Sequence, residues 1–228
     1  MDKQRAMLIT AGPTHEAIDD VRYIANRSSG RLGIALAEAG RDAGWNVTLL
    51  LGPCGLPVPD GVVVVRFVST ADLQAVLDER FPDCEVLIMG AAVADYRPIG
   101  KTAGKISRVD ANLVVELEPT PDLVARCAER RRPGQRIVGF ALDEAFKLEG
   151  RALEKLRRKR LDALVANPLA TMGSDEIRAR VYTPDGAISS PPALSEGDTP
   201  LTKAAFGRWL VAWIEKSLCQ GLHQQSEF

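Results

Sequence analysis

The chain predicts an α/β fold in three layers: a mostly parallel sheet covered by helices on both faces, with a β-hairpin extension. Three observations in its 228 residues carry that prediction. Short apolar runs alternate with longer stretches of helical periodicity, the order that joins parallel strands through crossover helices. Runs such as NVTLLLG (46–52), VVVVRFVS (62–69) and EVLIMG (85–90) are apolar on successive residues, as strands buried on both faces are. RARVYTPDGAI (178–188) sets two strand-like pieces around an Asp-Gly turn, a hairpin signal.

The elements follow in order. AMLITAG (6–12) is a short strand ending in glycine, and residues 29–43 place Leu32, Leu36, Ala39 and Ala43 at helical spacing. After the strands 46–52 and 62–69, Thr70 is placed to cap a helix running through Arg80, with Leu73, Val76 and Leu77 inward. Strand 85–90 leads into a polar stretch, 96–111, rich in Gly, Lys and Arg, which reads as a mobile loop. LVVELE (113–118) reads as a strand, PDLVARCAERR (121–131) as a helix and RIVGFAL (136–142) as a strand. Residues 144–160 read as a helix and LDALVAN (161–167) as a strand. SSPPALSEGDTP (189–200) reads as a surface loop or linker, and 201–218 as a last helix with Phe206, Leu210, Trp213 and Ser217 on one face. No internal repeat or boundary divides the chain, so one domain spanning 1–228 is expected.

Composition narrows the function. With 46% hydrophobic and 26% charged residues, the chain is typical of globular proteins. A formal net charge of -1 supplies no basic field, which argues against nucleic acid as a partner. The four cysteines (Cys54, Cys84, Cys127, Cys219) are scattered, with no CxxC pair, so neither a zinc site nor a disulfide framework is indicated. His15 and His223 are the only histidines, too few for a His-rich metal centre. The lead-in MDKQRAMLITAG lacks signal-peptide character and no apolar run reaches membrane-spanning length. A cytoplasmic protein without a membrane partner is expected.

On parallel sheets, ligands sit beyond the carboxyl ends of the strands. After the first strand comes AGPTHEAIDDVRYIANRSSGRLG. A dinucleotide fingerprint would follow the strand at once, yet seventeen residues separate Gly12 from Gly30. Ser28, Ser29, Gly30 and Gly33 stand at a helix mouth, where free N–H groups and the helix dipole suit a phosphate. The plainer alternative is that a serine caps the helix and Gly33 lets it pack closely. In GAAVADYRP the small residues from Gly90 to Ala94 admit a ligand to the backbone. Asp95 then either accepts hydrogen bonds from a ligand or starts an Asx turn before Pro98. In GKISR, Lys105 and Arg108 sit on a loop able to close over a phosphorylated intermediate, or are simply solvated. Phe140 could stack on a base or fill the core. Lys155 and Lys159, at i and i+4 among Arg157, Arg158 and Arg160, form either a phosphate rim or a solvated basic face.

In combination, ITAGPTHEAIDDVRYIANRSSGRLG, GAAVADYRP, KI, PTPDLV, VGFA and KLRRKRLDALVAN resemble the phosphopantothenoylcysteine synthetase family, the cysteine ligases of coenzyme A biosynthesis. The likeness is close over 6–167 and loose beyond. It implies a Rossmann-like three-layer sheet and a two-step ligation. CTP (or ATP) activates the carboxylate of 4′-phosphopantothenate as an acyl-nucleotide, releasing pyrophosphate, and the amine of L-cysteine then displaces the nucleoside monophosphate. By motif, Asn26 matches the residue that handles the intermediate, Arg22 a carboxylate or phosphate clamp, and Lys105 the flap lysine. The implied nucleotide set is Gly12, Ser28, Ser29, Gly30, Ala91, Ala92, Asp95, Lys105, Val138, Gly139, Phe140, Ala141, Lys155 and Lys159.

The resemblance also implies Mg2+ carried on the nucleotide phosphates, with Asp95 the side chain placed to assist. It implies a homodimer, with the hairpin near 178–188 or the strand at 113–118 supplying the contact. Because Met1 stands just before the first strand, a monofunctional form without the flavin-dependent decarboxylase domain is expected, and so is the absence of flavin. Two departures stand out: KISR replaces the K-x-K-K common in bacterial flaps, and His15 stands where arginine is common and receives no role. The alternatives are a nucleotide-binding oxidoreductase and a regulatory nucleotide-binding module. The displaced glycine motif and the lack of an acidic residue ending TLLLGP oppose the first, and the second leaves Asn26 and Lys105 without a purpose.

Overall fold

A computed structural model describes residues 5–108, 110–144 and 148–219; His223 and residues 145–147 of the expected helix 144–160 lie outside that range. β1 (Ala6–Ala11) is followed by a ribbon, β2 (His15–Ala17) and β3 (Tyr23–Ala25), before α1 (Arg31–Asp42). β4 (Asn46–Leu51), β5 (Val63–Arg66), α2 (Thr70–Arg80) and β6 (Val86–Met89) come next. A second ribbon, β7 (Tyr96–Pro98) and β8 (Leu117–Pro119), precedes α3 (Leu123–Arg130), β9 (Arg136–Asp143), α4 (Leu148–Arg158) and β10 (Ala163–Pro168). The chain ends in β11 (Glu176–Ile177), β12 (Arg180–Tyr182), β13 (Ile188–Ser189), α5 (Pro192–Gly197), β14 (Leu201–Thr202) and α6 (Lys203–Leu218).

The central sheet has the order β13-β12-β10-β9-β6-β1-β4-β5. From β5 to β10 all neighbours are parallel, and β12 and β13 close one edge as an antiparallel hairpin. Its Asp-Gly turn requires glycine, since Gly186 has φ 87°. The chain winds outward in both directions from the β1–β6 pair, so the crevice above their carboxyl ends is the expected ligand position.

Alternate residues of β1 feed different cores, which is why these strands show no polar alternation. Met7, Ile9 and Ala11 face α1 and α6 with Leu36, Phe206, Leu210 and Ile214. Leu8 faces α2, α3 and α4 with Leu73, Leu77, Cys127 and Leu156. At Gly33 a Cβ would stand 2.2 Å from that of Ala11, so α1 rides closer to the sheet than any larger residue permits.

Five expectations change. Ser69, not Thr70, caps α2, in a capping box with Asp72. Thr70 is instead buried and bonded to Glu16. The strand expected at 113–118 is only 117–119, because Leu113 and Val114 have no packing surface and stay exposed. The loop expected over 96–111 opens with β7, and the loop at 189–200 contains α5. The buried stripe of α6 is Phe206, Gly207, Leu210, Val211 and Ile214, while Ser217 is exposed and Trp213 only half-buried. A true 3.6-residue period keeps Ile214, not Trp213, over the sheet.

Candidate active site

A cleft of about 890 Å3 opens at the β1–β6 switch point. Its floor is backbone, fixed by small residues and buried hydroxyls. Gly12 has φ 83°, and its carbonyl accepts the Ala92 amide at 2.9 Å. The Thr10 hydroxyl accepts the Ala91 amide and the Thr14 hydroxyl the Ala94 amide, both at 3.0 Å. Below them the Thr70 hydroxyl donates to Glu16 Oε1 at 2.7 Å, which braces β2 against α2. The 91–94 backbone is thereby held open to the cleft without side chains in the way.

Asn26 follows β3 and donates its Nδ2 to the carbonyls of Val93 (2.9 Å) and Ala92 (3.4 Å). Carbonyls only accept, so this fixes the amide's orientation and leaves Oδ1 as the acceptor on the cleft wall. At the mouth of α1, Gly30 (φ 74°) is the cap residue and no side chain caps the helix. Ser28 and Ser29 hydroxyls stand 3.4 Å from the Gly30 and Arg31 amides, too far for firm capping. The first-turn amides keep their donor capacity and the positive end of the helix dipole.

The facing wall is cationic. Lys155 Nζ donates to the Phe140 carbonyl at 2.6 Å, and Lys159 Nζ pairs with Asp122 at 2.8 Å. Burial, and then the neighbouring Lys159, bring the Lys155 ammonium down to about 8. Asp122 also caps α3 through the Ala125 amide. The Asp95 carboxylate is exposed and accepts no hydrogen bond from the described residues, so it does not form the alternative Asx turn. Phe140 is half-buried beside Gly90.

A third wall was not anticipated. Asn167, Thr171, Met172, Gly173, Ile177 and Lys203 line the cleft beyond β10, and Arg31, paired with Asp175, meets them there. The strand-end rule that located Asp95 also points past β10, and would have found them. Thr120, Pro121, Asp122, Leu123 and Val124 line it too, from the PTPDLV segment.

Of the sequence-predicted residues, the cleft brings together Asn26, Ser28, Ser29, Gly30, Ala91, Ala92, Asp95, Gly139, Phe140, Ala141, Lys155 and Lys159. Five others do not line it. Gly12 shapes the floor from beneath, and Val138 is fully buried in the α1–α6 core. Arg22 is bonded to Asp19 and to the Ile106 carbonyl. Lys105 and Arg108 are exposed on the loop between β7 and β8. The buried thiols offer no nucleophile: burial pushes Cys84 up to about 12 and Cys127 and Cys219 to about 11.

Residues 2–210 match the family model described as DNA/pantothenate metabolism flavoprotein C-terminal domain. The chain is 42% identical over 171 residues to a cysteine/cysteine sulfinic acid decarboxylase of an unknown prokaryotic organism, covering 75% of this chain and 47% of that one. It is 37% identical over 195 residues to the coenzyme A biosynthesis bifunctional protein CoaBC of Vibrio vulnificus strain YJ016, covering 83% of this chain and 48% of the relative. The chain thus spans about half the length of these relatives. The crystal structure of a CoaBC C-terminal domain superposes with a TM-score of 0.77 at 34% identity, covering 93% of this chain and 94% of that one.

Proposed function

The chain belongs to the DNA/pantothenate metabolism flavoprotein C-terminal domain family, and from that premise we propose that it ligates 4′-phosphopantothenate to L-cysteine in coenzyme A biosynthesis, with a nucleoside triphosphate as co-substrate. One observation carries the reading. The uncapped mouth of α1, the free Oδ1 of Asn26 and the Lys155–Lys159 wall face a single cleft at the switch point. Such an arrangement suits chemistry that moves negative charge between a carboxylate and phosphates, where positioned donors and cations supply most of the catalysis.

In the first step a carboxylate oxygen attacks the α-phosphorus of CTP (or ATP) and pyrophosphate leaves. The cysteine amine then attacks the acyl carbon, loses a proton and expels the nucleoside monophosphate. The α1 amides with Ser28 and Ser29 cradle phosphates, Lys155 and Lys159 hold charge on the opposite side, and Phe140 offers a face for the base. Asn26 Oδ1 orients the attacking amine as a hydrogen-bond acceptor. Lys105, without a partner among the described residues, meets the developing charge once its loop lies over the bound nucleotide. Arg22 contributes through the loop it holds.

Magnesium fits the donor set in one way. Among the described residues no cluster of three or more His, Cys, Asp or Glu could hold a metal, but Asp95 offers one free carboxylate at the cleft. One carboxylate plus substrate phosphates is a usual magnesium environment. There the ion would neutralise phosphate charge.

We assign residues 1–228 to one domain, a homodimer as its state, and the cytoplasm as its place; among the described residues no helix is long and apolar enough to cross a membrane. Exposed Leu113, Val114 and Leu117 beside β8 support that segment as the dimer contact. A panel of CTP, ATP, GTP and UTP with 4′-phosphopantothenate and cysteine tests the function by product mass and pyrophosphate. Product with CTP or ATP alone is expected. Carbon dioxide released from cysteine without any nucleotide would instead favour the activity in the other relative's name.

A further inference from the structure

The loop carrying Lys105 is fastened by the turn between β2 and β3. Asp19 is buried, and its Oδ1 accepts the amides of Val21 (2.8 Å) and Arg22 (2.7 Å). Its Oδ2 accepts Arg22 Nε at 3.0 Å and the Ile106 amide at 3.1 Å. Arg22 Nη2 completes the ring by donating to the Ile106 carbonyl at 2.6 Å. Two residues before Ile106 in the loop, Gly104 is clamped in the same manner: its amide donates to Asp20 Oδ2 at 2.7 Å and its carbonyl accepts the Asp20 amide at 3.0 Å. Lys105 therefore lies between two residues whose N–H and C=O are all engaged, while its own side chain is exposed and unpaired among the described residues. The same turn leads directly through β3 to Asn26, itself bonded to Ala92 and Val93.

We infer that Asp19 is a positioning residue, which by binding Ile106 and Arg22 together fixes where Lys105 is displayed relative to Asn26. The inference rests on the ligase reading, because it matters only if Lys105 meets the reacting phosphate. A carboxylate is required at position 19, since every group bonded or paired to it is a donor. An asparagine amide would turn its NH2 toward two of them, and donor would face donor.

Asp19→Asn is expected to slow phosphopantothenate-dependent pyrophosphate release roughly 10- to 100-fold, the effect of a misplacement near 1 Å, with the KM for cysteine unchanged. Amide exchange at Ile106 should accelerate. In the Lys105→Ala background the same substitution should cost nothing further, because the group it positions is gone. Asp20→Ala, at an exposed site, keeps the fold if Asp19→Asn does not; it should speed exchange at Gly104 and slow the first step by a smaller factor. Wild-type exchange at Ile106 in Asp19→Asn, or a full multiplicative loss on top of Lys105→Ala, would overturn the inference while leaving the ligase reading intact. A wild-type protein that binds CTP and 4′-phosphopantothenate but releases no pyrophosphate would overturn both.

Discussion

The floor of the cleft and the two ribbons above it are built by different means. The floor is held by close packing and by bonds to the Thr10 and Thr14 hydroxyls: a Cβ at Gly33 would lie 2.2 Å from the Ala11 Cβ, and one at Gly52 2.2 Å from the Pro13 carbonyl. The ribbons at 15–25 and 96–119 have little core of their own, expose Val21, Tyr23, Tyr96 and Ile99, and are joined by polar ties centred on Asp19 and Asp20. Burial alone would raise the Asp19 carboxyl, but the Ile106, Val21 and Arg22 donors more than offset that and hold it below the usual carboxylate range. Backbone at the cleft floor is locked by packing and buried bonds, and the part that carries the exposed Lys105 is held by polar ties at the surface.

Substitutions on the two sides should therefore fail differently. The largest effect is expected at Lys105→Ala, which should lower phosphopantothenate-dependent pyrophosphate release by ~10²–10³-fold. Its thermal midpoint should match wild type, because the side chain is exposed and has no hydrogen-bond or ion-pair partner among the described residues. Equal turnover in a folded variant would remove the loop from the chemistry. Gly33→Ala should do the reverse and act through stability, losing ~1–3 kcal/mol or more by overpacking. Calorimetry should register this as a drop of about 2–4 °C per kcal/mol. An unchanged midpoint would mean that α1 can back away from β1 without cost.

A third contrast uses pH. Lys155 titrates at about 8, below the ordinary 10.5, because of burial first and Lys159 second, with Asp122 and Asp95 opposing and Arg158 adding. The unfolded chain binds the extra proton between those values, so this group's contribution to stability improves as pH rises from about 8 to 10.5. Nucleotide affinity should move the other way, weakening by at most about tenfold per pH unit above 8 as the cation is lost. Titration calorimetry on wild type and Lys155→Arg would show it: a flat profile is expected for the arginine variant. The smallest effect is expected at Lys101→Ala, whose pair with Asp20 at 2.6 Å is half exposed on both sides. Such pairs contribute about 0–1 kcal/mol, so turnover should change by less than about threefold.

The division also explains what was legible in the sequence. The parallel sheet follows from unbroken apolar strands, and Lys155 and Lys159 share a wall because i and i+4 share a helix face. The Ser69–Asp72 capping box was a local signal as well, although Thr70 sits one place away and reads equally well as a cap. GKISR marks Lys105 as a loop cation, but a solvated lysine reads the same way, and only the family's motif gives Asn26 and Lys105 their roles, since no local period marks a lone amide or a lone loop lysine. The Asp19–Ile106 tie spans 87 positions, and Arg31 reaches Asp175 across 144. Hydrogen bonds of that reach leave no trace in spacing. β2, β3 and β7 leave no sequence signal for a related reason: three-residue strands are too short to show alternation.

The central claim is that carboxylate activation happens in this cleft before cysteine takes part. Rapid-quench analysis with CTP and 4′-phosphopantothenate, cysteine withheld, addresses it directly. The account predicts a stoichiometric burst of pyrophosphate and an acyl-cytidylate that cysteine then consumes. Pyrophosphate formed equally well without 4′-phosphopantothenate, or formed only after cysteine is added, would contradict it.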